Sequence, residues 1–375
     1  MKIVFTTGGT GGHFYPVIAI AEQVNKIIDR DKIVQAKLYY FSDDAYDKAA
    51  LFDNGIVYKN IPAGKLRLYF SFQNFFDLFK TATGIVNAFL QLFSIFPDVV
   101  VGKGGYASFP TLFAARMLGI PVVIHESDSY PGRVNIWAGK FAKRVAVSFP
   151  EAAQYFPKDR VAYSGQPIRT EIDQAAKDGV HEFFKLDPSI PTILIIGGSL
   201  GAQVINDAII DSLPTLVDRY QILHQTGVAN FEQVKNTAGI VLGNSLNKAR
   251  YQPFPFMNNL QLRMASGAAE VVISRGGSMI FEIASWGVPS IIIPITKSNG
   301  DHQRKNAYTF AASGGGIVME EANLTGSVLA SELERLTSNK ERLEKMKQAA
   351  QAFVVKDAAL HIAEEIVKIA LSHEK

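Results

Sequence analysis

The residues Gly8-Gly9-Thr10-Gly11-Gly12-His13 place four glycines and a histidine between an apolar run and a helix-period run. Such a backbone can approach an anion closely at a helix start, where N–H groups and the helix dipole favour negative charge. A plain strand-to-helix turn uses the same residues without any ligand. An imidazole ordinarily titrates near working pH, so His13 is a residue type that can take a proton from a hydroxyl. The loop matches the G-x-G-x-x-G dinucleotide fingerprint poorly, and Asp43 and Asp44 come later than the acidic residue that fingerprint requires about 20 positions on. A nicotinamide cofactor is the weaker reading.

Five further segments carry chemistry. Gly197-Gly198-Ser199-Leu200-Gly201-Ala202 offers a second anion cradle, with the Ser199 hydroxyl as an added donor. In Ser274-Arg275-Gly276-Gly277-Ser278-Met279-Ile280-Phe281-Glu282 a glycine turn opens a helix. There Glu282 can accept two ribose hydroxyls or simply cap the helix. Gly102-Lys103-Gly104-Gly105-Tyr106 is a third glycine turn, able to hold a second phosphate, and His125-Glu126-Ser127-Asp128 ends a strand with groups fit for acid–base work. Asp301, His302, Gln303 and Asn306 share one helix turn and can grip sugar hydroxyls, or can be a solvated helix start. The sole D-x-D, Asp29 to Asp31, lies far from the glycine turns, so no metal is expected.

These groups need a frame. At 375 residues the chain suits two domains, and 47% apolar residues suit packed cores. No run approaches ~18 uninterrupted apolar residues and no basic leader precedes a cleavage site, so a cytoplasmic location is expected. The absence of cysteine excludes disulfides and thiolate chemistry, and a net charge of +3 fits anionic phosphate or a membrane surface. Nothing resembles a nucleic-acid motif. Strand-like runs at Lys2–Thr7, Leu38–Phe41, Val99–Gly102, Val122–His125, Thr192–Ile196, Gln221–His224, Val271–Ser274 and Ser290–Pro294 alternate with helix-period segments. This implies βαβ units and an α/β fold with mostly parallel sheets. IVFTTGGTGGH and ILIIGGSLGA each open one half, as two doubly wound Rossmann-like domains would. Domains are expected at 1–163 and 164–345, with a cleft between them and a helix at 346–375 packing back on the first. The stretch 66–96 carries Phe70, Phe72, Phe75, Phe76 and Phe79 among basic residues. It can be core plus dimer contact, or an exposed patch for an anionic membrane.

In order, GGTGGHFYP, GKGGYASFP, IHESDSYPG, SGQPIR, GGSLGA, SRGGSMIFE and GDHQRKNA resemble the MurG family over nearly the whole chain. These glycosyltransferases move N-acetylglucosamine from UDP-GlcNAc to a lipid-linked muramyl-pentapeptide. The resemblance implies the GT-B architecture, with a deep cleft, the nucleotide sugar mainly on the second domain and the polyprenyl-diphosphate-linked acceptor on the first. It implies an enzyme without a cofactor, docked peripherally on the cytoplasmic face of the bacterial membrane. It places Thr10, Gly11, Gly12 and His13 at the sugar and acceptor side, and Arg169 and Ser199 on the diphosphate. Glu282 falls on the ribose, Gln303 on the sugar hydroxyls and Met257 where main chain meets uracil, with Ser278 at a helix start that meets leaving-group charge. His13 is the first candidate base; Glu126, His125 and Tyr106 are lesser candidates or position the acceptor with Gly104 and Gly105. Two departures stand out: Asp128 replaces a common asparagine beside the donor sugar, losing an amide donor, and the Arg275–Glu282 loop is one residue short. The alternatives are a diacylglycerol-type GT-B transferase and a non-catalytic membrane-docked binding subunit.

Overall fold

The computed structural model describes residues 1–65, 73–198, 201–296 and 299–372. They form two compact units, Met1–Arg169 with Val355–Lys375, and Thr170–Val354. The chain leaves the first unit at Arg169 rather than at 163, because Gly165 and Gln166 are hydrogen-bonded to the strand ends of that unit. It returns at Val355 rather than at 346.

The first unit runs β1 (Lys2–Thr6), α1 (Gly11–Arg30), β2 (Lys37–Ser42), α2 (Lys48–Asp53), β3 (Ile56–Asn60), α3 (Gln73–Ile95), β4 (Val99–Gly102), α4 (Phe109–Met117), β5 (Val122–Glu126), α5 (Arg133–Gly139), β6 (Arg144–Val147) and β7 (Val161–Tyr163). Its seven strands are all parallel, in the order β3-β2-β1-β4-β5-β6-β7. The second unit runs α6 (Val180–Phe184), β8 (Thr192–Ile196), α7 (Gln203–Arg219), β9 (Gln221–Gln225), α8 (Phe231–Leu242), β10 (Tyr251–Phe254), α9 (Asn259–Ala268), β11 (Ala269–Ser274), α10 (Met279–Trp286), β12 (Ser290–Ile292), α11 (His302–Ala312), β13 (Gly316–Val318), α12 (Gly326–Thr337) and α13 (Lys340–Phe353). Its six strands are also parallel, in the order β10-β9-β8-β11-β12-β13.

Central strands are apolar on both faces because helices cover both. Ile3, Phe5, Val99 and Val101 pack toward α1 and toward a last helix, α14 (Ala358–Leu371), whose Ile362, Ala363, Ile366 and Val367 complete that core. Val4, Val100, Leu112 and Leu92 pack on the opposite face. In each sheet the strand order reverses between two neighbours, β1 and β4 in the first unit, β8 and β11 in the second. Ligands of doubly wound sheets bind beyond the strand ends at such a switch point. The topology therefore singles out the loops after β1, β4, β8 and β11.

Candidate active site

In the first unit the glycine loops after β1 and β4 touch. Gly8 N–H donates to Gly104 O at 2.8 Å and Lys103 N–H to Thr6 O at 2.9 Å. Gly105 has φ of +80°, and a Cβ there would stand 2.6 Å from Gly8 Cα. Only glycines permit this approach. Thr10 is the extended N-cap of α1, and its hydroxyl lies 2.8 Å from His13 Nδ1. When His13 donates from Nδ1 to that oxygen, the lone pair sits on Nε2. Two residues on, the Tyr15 ring carries the Arg169 guanidinium 3.8 Å from its centroid. This cation–π contact fixes a buried arginine beside the helix start that bears His13.

Other members of the expected set have different employment. Both oxygens of Glu126 are taken by its own loop: Asp128 N–H donates at 2.9 Å, Gly132 N–H at 3.1 Å and Asn135 Nδ2 at 2.9 Å. Burial and then the Asp128 carboxylate raise its pKa, against Lys103 and these donors. Glu126 is therefore a loop-holding carboxylate rather than a base. Tyr106 donates its phenol proton to Asp43 at 2.8 Å, and burial with that bond lifts its pKa to about 12. It too is unsuited to accept a proton near pH 7. His125 is wholly buried, with Nε2 3.2 Å from Gly165 O; burial first and Lys103 second hold its pKa well below the usual value. Asp128 stays half-exposed on the loop that Glu126 organises.

The second unit assembles its own loops. Ser199 lies outside the described residues, while Gly198 and Gly201 close the turn after β8 through a 3.1 Å bond from Gly201 N–H to Gly198 O. Gln225, at the end of β9, accepts Met257 N–H at 2.9 Å, and Met257 is buried. Its main-chain N–H is thus already engaged. After β11, Arg275 donates to Ile293 O at 3.1 Å and to Glu321 Oε1 at 2.8 Å. Glu321 Oε2 accepts Thr296 N–H at 3.0 Å and its hydroxyl at 2.9 Å. Burial would raise the Glu321 carboxyl, but Thr296 and Arg275 outweigh it and the net shift is downward. This clamp ties the β11 loop to the β12 loop. Gln303 Oε1 accepts Ile295 N–H at 3.2 Å, and a Cβ on Gly276 would lie 2.3 Å from Gln303 O. Asn306 Nδ2 donates to Gly276 O at 3.2 Å. Glycine at 276 therefore lets the start of α11, with Gln303, lie directly on the turn that opens α10. Glu282 sits half-buried in the first turn of α10, and in the turn before that helix nothing fills the space a side chain would take at Gly277. The Arg275–Glu321 clamp and Lys103 escaped the sequence reading.

Two anion-type loops at one switch point and a polar helix-start platform at the other describe a nucleotide-sugar enzyme, and comparison decides which. Residues 3–147 match the glycosyltransferase family 28 N-terminal domain and residues 192–362 the glycosyltransferase family 28 C-terminal domain. The chain belongs to glycosyltransferase family 28. Within it the chain is a member of the MurG family. It is 34% identical, over 96% of both chains, to the UDP-N-acetylglucosamine–N-acetylmuramyl-(pentapeptide) pyrophosphoryl-undecaprenol N-acetylglucosamine transferase of Treponema denticola. It is 33% identical to the Lactiplantibacillus plantarum enzyme of the same name, over 98% of this chain and 100% of that one. The crystal structure of Acinetobacter baumannii MurG superposes with a TM-score of 0.72 at 26% identity, covering 98% of this chain and 99% of that one. The fold is thus the GT-B architecture of two Rossmann-like domains, and the chain is a transferase of peptidoglycan synthesis.

Proposed function

We propose that this enzyme moves N-acetylglucosamine from UDP-GlcNAc to the 4-hydroxyl of a lipid-linked muramyl-pentapeptide, converting lipid I to lipid II. The observation that carries this reading is near-full-length similarity to enzymes of that name. The acceptor hydroxyl attacks the anomeric carbon, its C–O bond forms as the bond to the UDP oxygen breaks, and configuration inverts. His13 Nε2 takes the hydroxyl proton, with Thr10 holding the ring from the Nδ1 side. The N–H groups opening α10 near Ser278, the turn at Gly197–Gly201 with Ser199, and Arg169 receive the charge that develops on the diphosphate. Glu282 takes the ribose hydroxyls, Gln303 and Asp128 the sugar, and Met257 the uracil. Gly104, Gly105 and the buried His125 lie on the acceptor side, where Tyr106 and Glu126 shape loops. Phe75, Phe76 and Phe79 of α3 are 62%, 70% and 57% exposed, and Leu78, Val86, Leu90 and Phe93 extend the same apolar face. The segment Phe75–Ile95 is long and apolar enough to cross a membrane, and little of it is buried within the protein. We assign that face to peripheral docking on an anionic membrane at the cytoplasmic side, where a lipid-linked acceptor resides. Phe70 and Phe72 lie outside the described residues.

The test is transfer from UDP-GlcNAc to a short-chain lipid I analogue, run beside diacylglycerol. Turnover on the first alone is expected; turnover on diacylglycerol alone refutes the reading. His13→Ala should lower kcat by about 100-fold or more with little change in UDP-GlcNAc affinity. Near-normal turnover of folded His13→Ala removes the base assignment.

A further inference from the structure

Lys103 is 1% exposed at the end of β4, directly before Gly104. Its ammonium donates to Ser127 Oγ, and no carboxylate of the described residues lies within ion-pair distance of it. The bonds beyond run in one direction. Ser127 Oγ donates to Gln166 Oε1 at 2.6 Å and Ser148 Oγ donates to the same oxygen at 2.8 Å. With the Ser148 proton so placed, the 3.2 Å contact between Ser148 Oγ and His125 Nε2 requires Nε2 to carry its own proton. His125 Nδ1 has no hydrogen-bond partner among the described residues, as a neutral ring in this tautomer allows. Donors from the loop after β5 and from the end of β6 thus converge on one side-chain oxygen in the segment leading to Arg169, and Lys103, just after β4, donates to the first of them.

A lysine is an expensive choice for such a place. Burying an ammonium without an ion pair costs more than burying a methionine of similar reach. Glu126 and Asp128 offset part of this from longer range, and His125 faces the same network as a neutral group. Apolar packing would serve stability better, so the charge has another use. Lys103 holds Ser127, the residue before Asp128, against the turn that carries Gly104 and Gly105. Through Gln166 the same chain of bonds sets the backbone three residues before Arg169, whose guanidinium stacks on Tyr15 of the His13 helix.

We propose that Lys103 is the positioning residue of the acceptor side: its buried ammonium sets the 127–132 loop against the Gly104–Gly105 turn. The inference rests on the acceptor assignment proposed above. It is tested with Lys103→Met and Ser127→Ala in the full chain, using UDP-GlcNAc and the short-chain lipid I analogue. Both variants should lose about 10- to 100-fold in kcat/KM for the acceptor, and the KM for UDP-GlcNAc should rise by a smaller factor, because Asp128 rides on the same loop. A merely structural lysine would depress both substrates equally or neither, and either result overturns the proposal. Should Lys103→Met not fold, Ser127→Ala decides alone. Amide hydrogen exchange supplies an arm independent of turnover: the Asp128 and Gly132 N–H groups should exchange faster in both variants, and unchanged protection refutes the positioning role. If the wild type fails to use the lipid I analogue, the acceptor assignment falls, while the exchange arm still judges Lys103.

Discussion

Replacing Lys103 by methionine should make the first unit more stable at pH 7, although it harms catalysis. Burial pulls the lysine down from its ordinary 10.5 to about 8, against the attraction of Glu126 and Asp128. At about 1.4 kcal/mol per pH unit, holding the proton in the folded state costs about 3 kcal/mol. Methionine removes that cost and leaves a void of about one methyl group, worth about 1 kcal/mol. A net gain of about 2 kcal/mol follows. The sign with pH is fixed by linkage. Between pH 8 and 10.5 the unfolded chain keeps the lysine proton and the folded chain does not, so wild-type stability climbs with pH there. The advantage of Lys103→Met is therefore full below pH 8 and fades toward 10.5. Trp137 lies in the first unit and Trp286 in the second, so denaturant unfolding followed by Trp137 fluorescence in a Trp286→Phe background reads the right core. A Lys103→Met protein less stable than its parent at pH 7, or a difference that ignores pH, would refute the reasoning.

Gly105→Ala forces a side chain into positive φ and against Gly8, and should cost the first unit about 1–3 kcal/mol and most acceptor turnover, read by unfolding and by the transfer assay. Arg275→Met frees the β11 loop from Glu321 and should raise the UDP-GlcNAc KM about tenfold without moving the acceptor KM; equal effects on both would contradict the clamp. The depressed Glu321 carboxyl contributes stability that is present above its ordinary 4.5 and lost as pH falls below it. A stability difference between wild type and Glu321→Gln should therefore shrink on acidification. Phe75→Glu with Phe79→Glu should abolish flotation with anionic vesicles, sparing turnover on a water-soluble acceptor.

How much of this was legible depends on what each residue had to do. All eight strands expected from composition are present, because central strands buried on both faces must be continuously apolar. The missed strands β3, β7, β10 and β13 are sheet edges with mixed or very short sequences, and β6 has only four residues. The glycine turns were visible because close backbone approach demands that residue type. Glu126 was visible as a carboxylate but not as one spent on its own loop, since Asn135 lies outside its motif and only the fold turns the Gly132 N–H back onto it. Lys103 looked like any lysine in a phosphate loop; its burial depends on Gln166, which only the fold brings near. Arg275 likewise finds Glu321 across four intervening elements, α10, β12, α11 and β13.

The return of α14 to the first unit has a consequence for how the protein is made. Ile362, Ala363, Ile366 and Val367 finish a core begun by Ile3, Phe5 and Val17, near the other end of the chain. A ribosome delivers those two halves of one core with the whole second unit between them. Until α14 emerges, the groove it fills on α1 and β4 remains an apolar trough open to solvent, whereas the core of the second unit takes nothing from that helix. The usual order, amino-terminal domain first, is thus not open to this chain, because the first core waits for residues that follow the whole second unit. A chain lacking residues 358–371 would have every residue of the second unit's core but not of the first unit's, and such a truncation should show chaperone binding or aggregation.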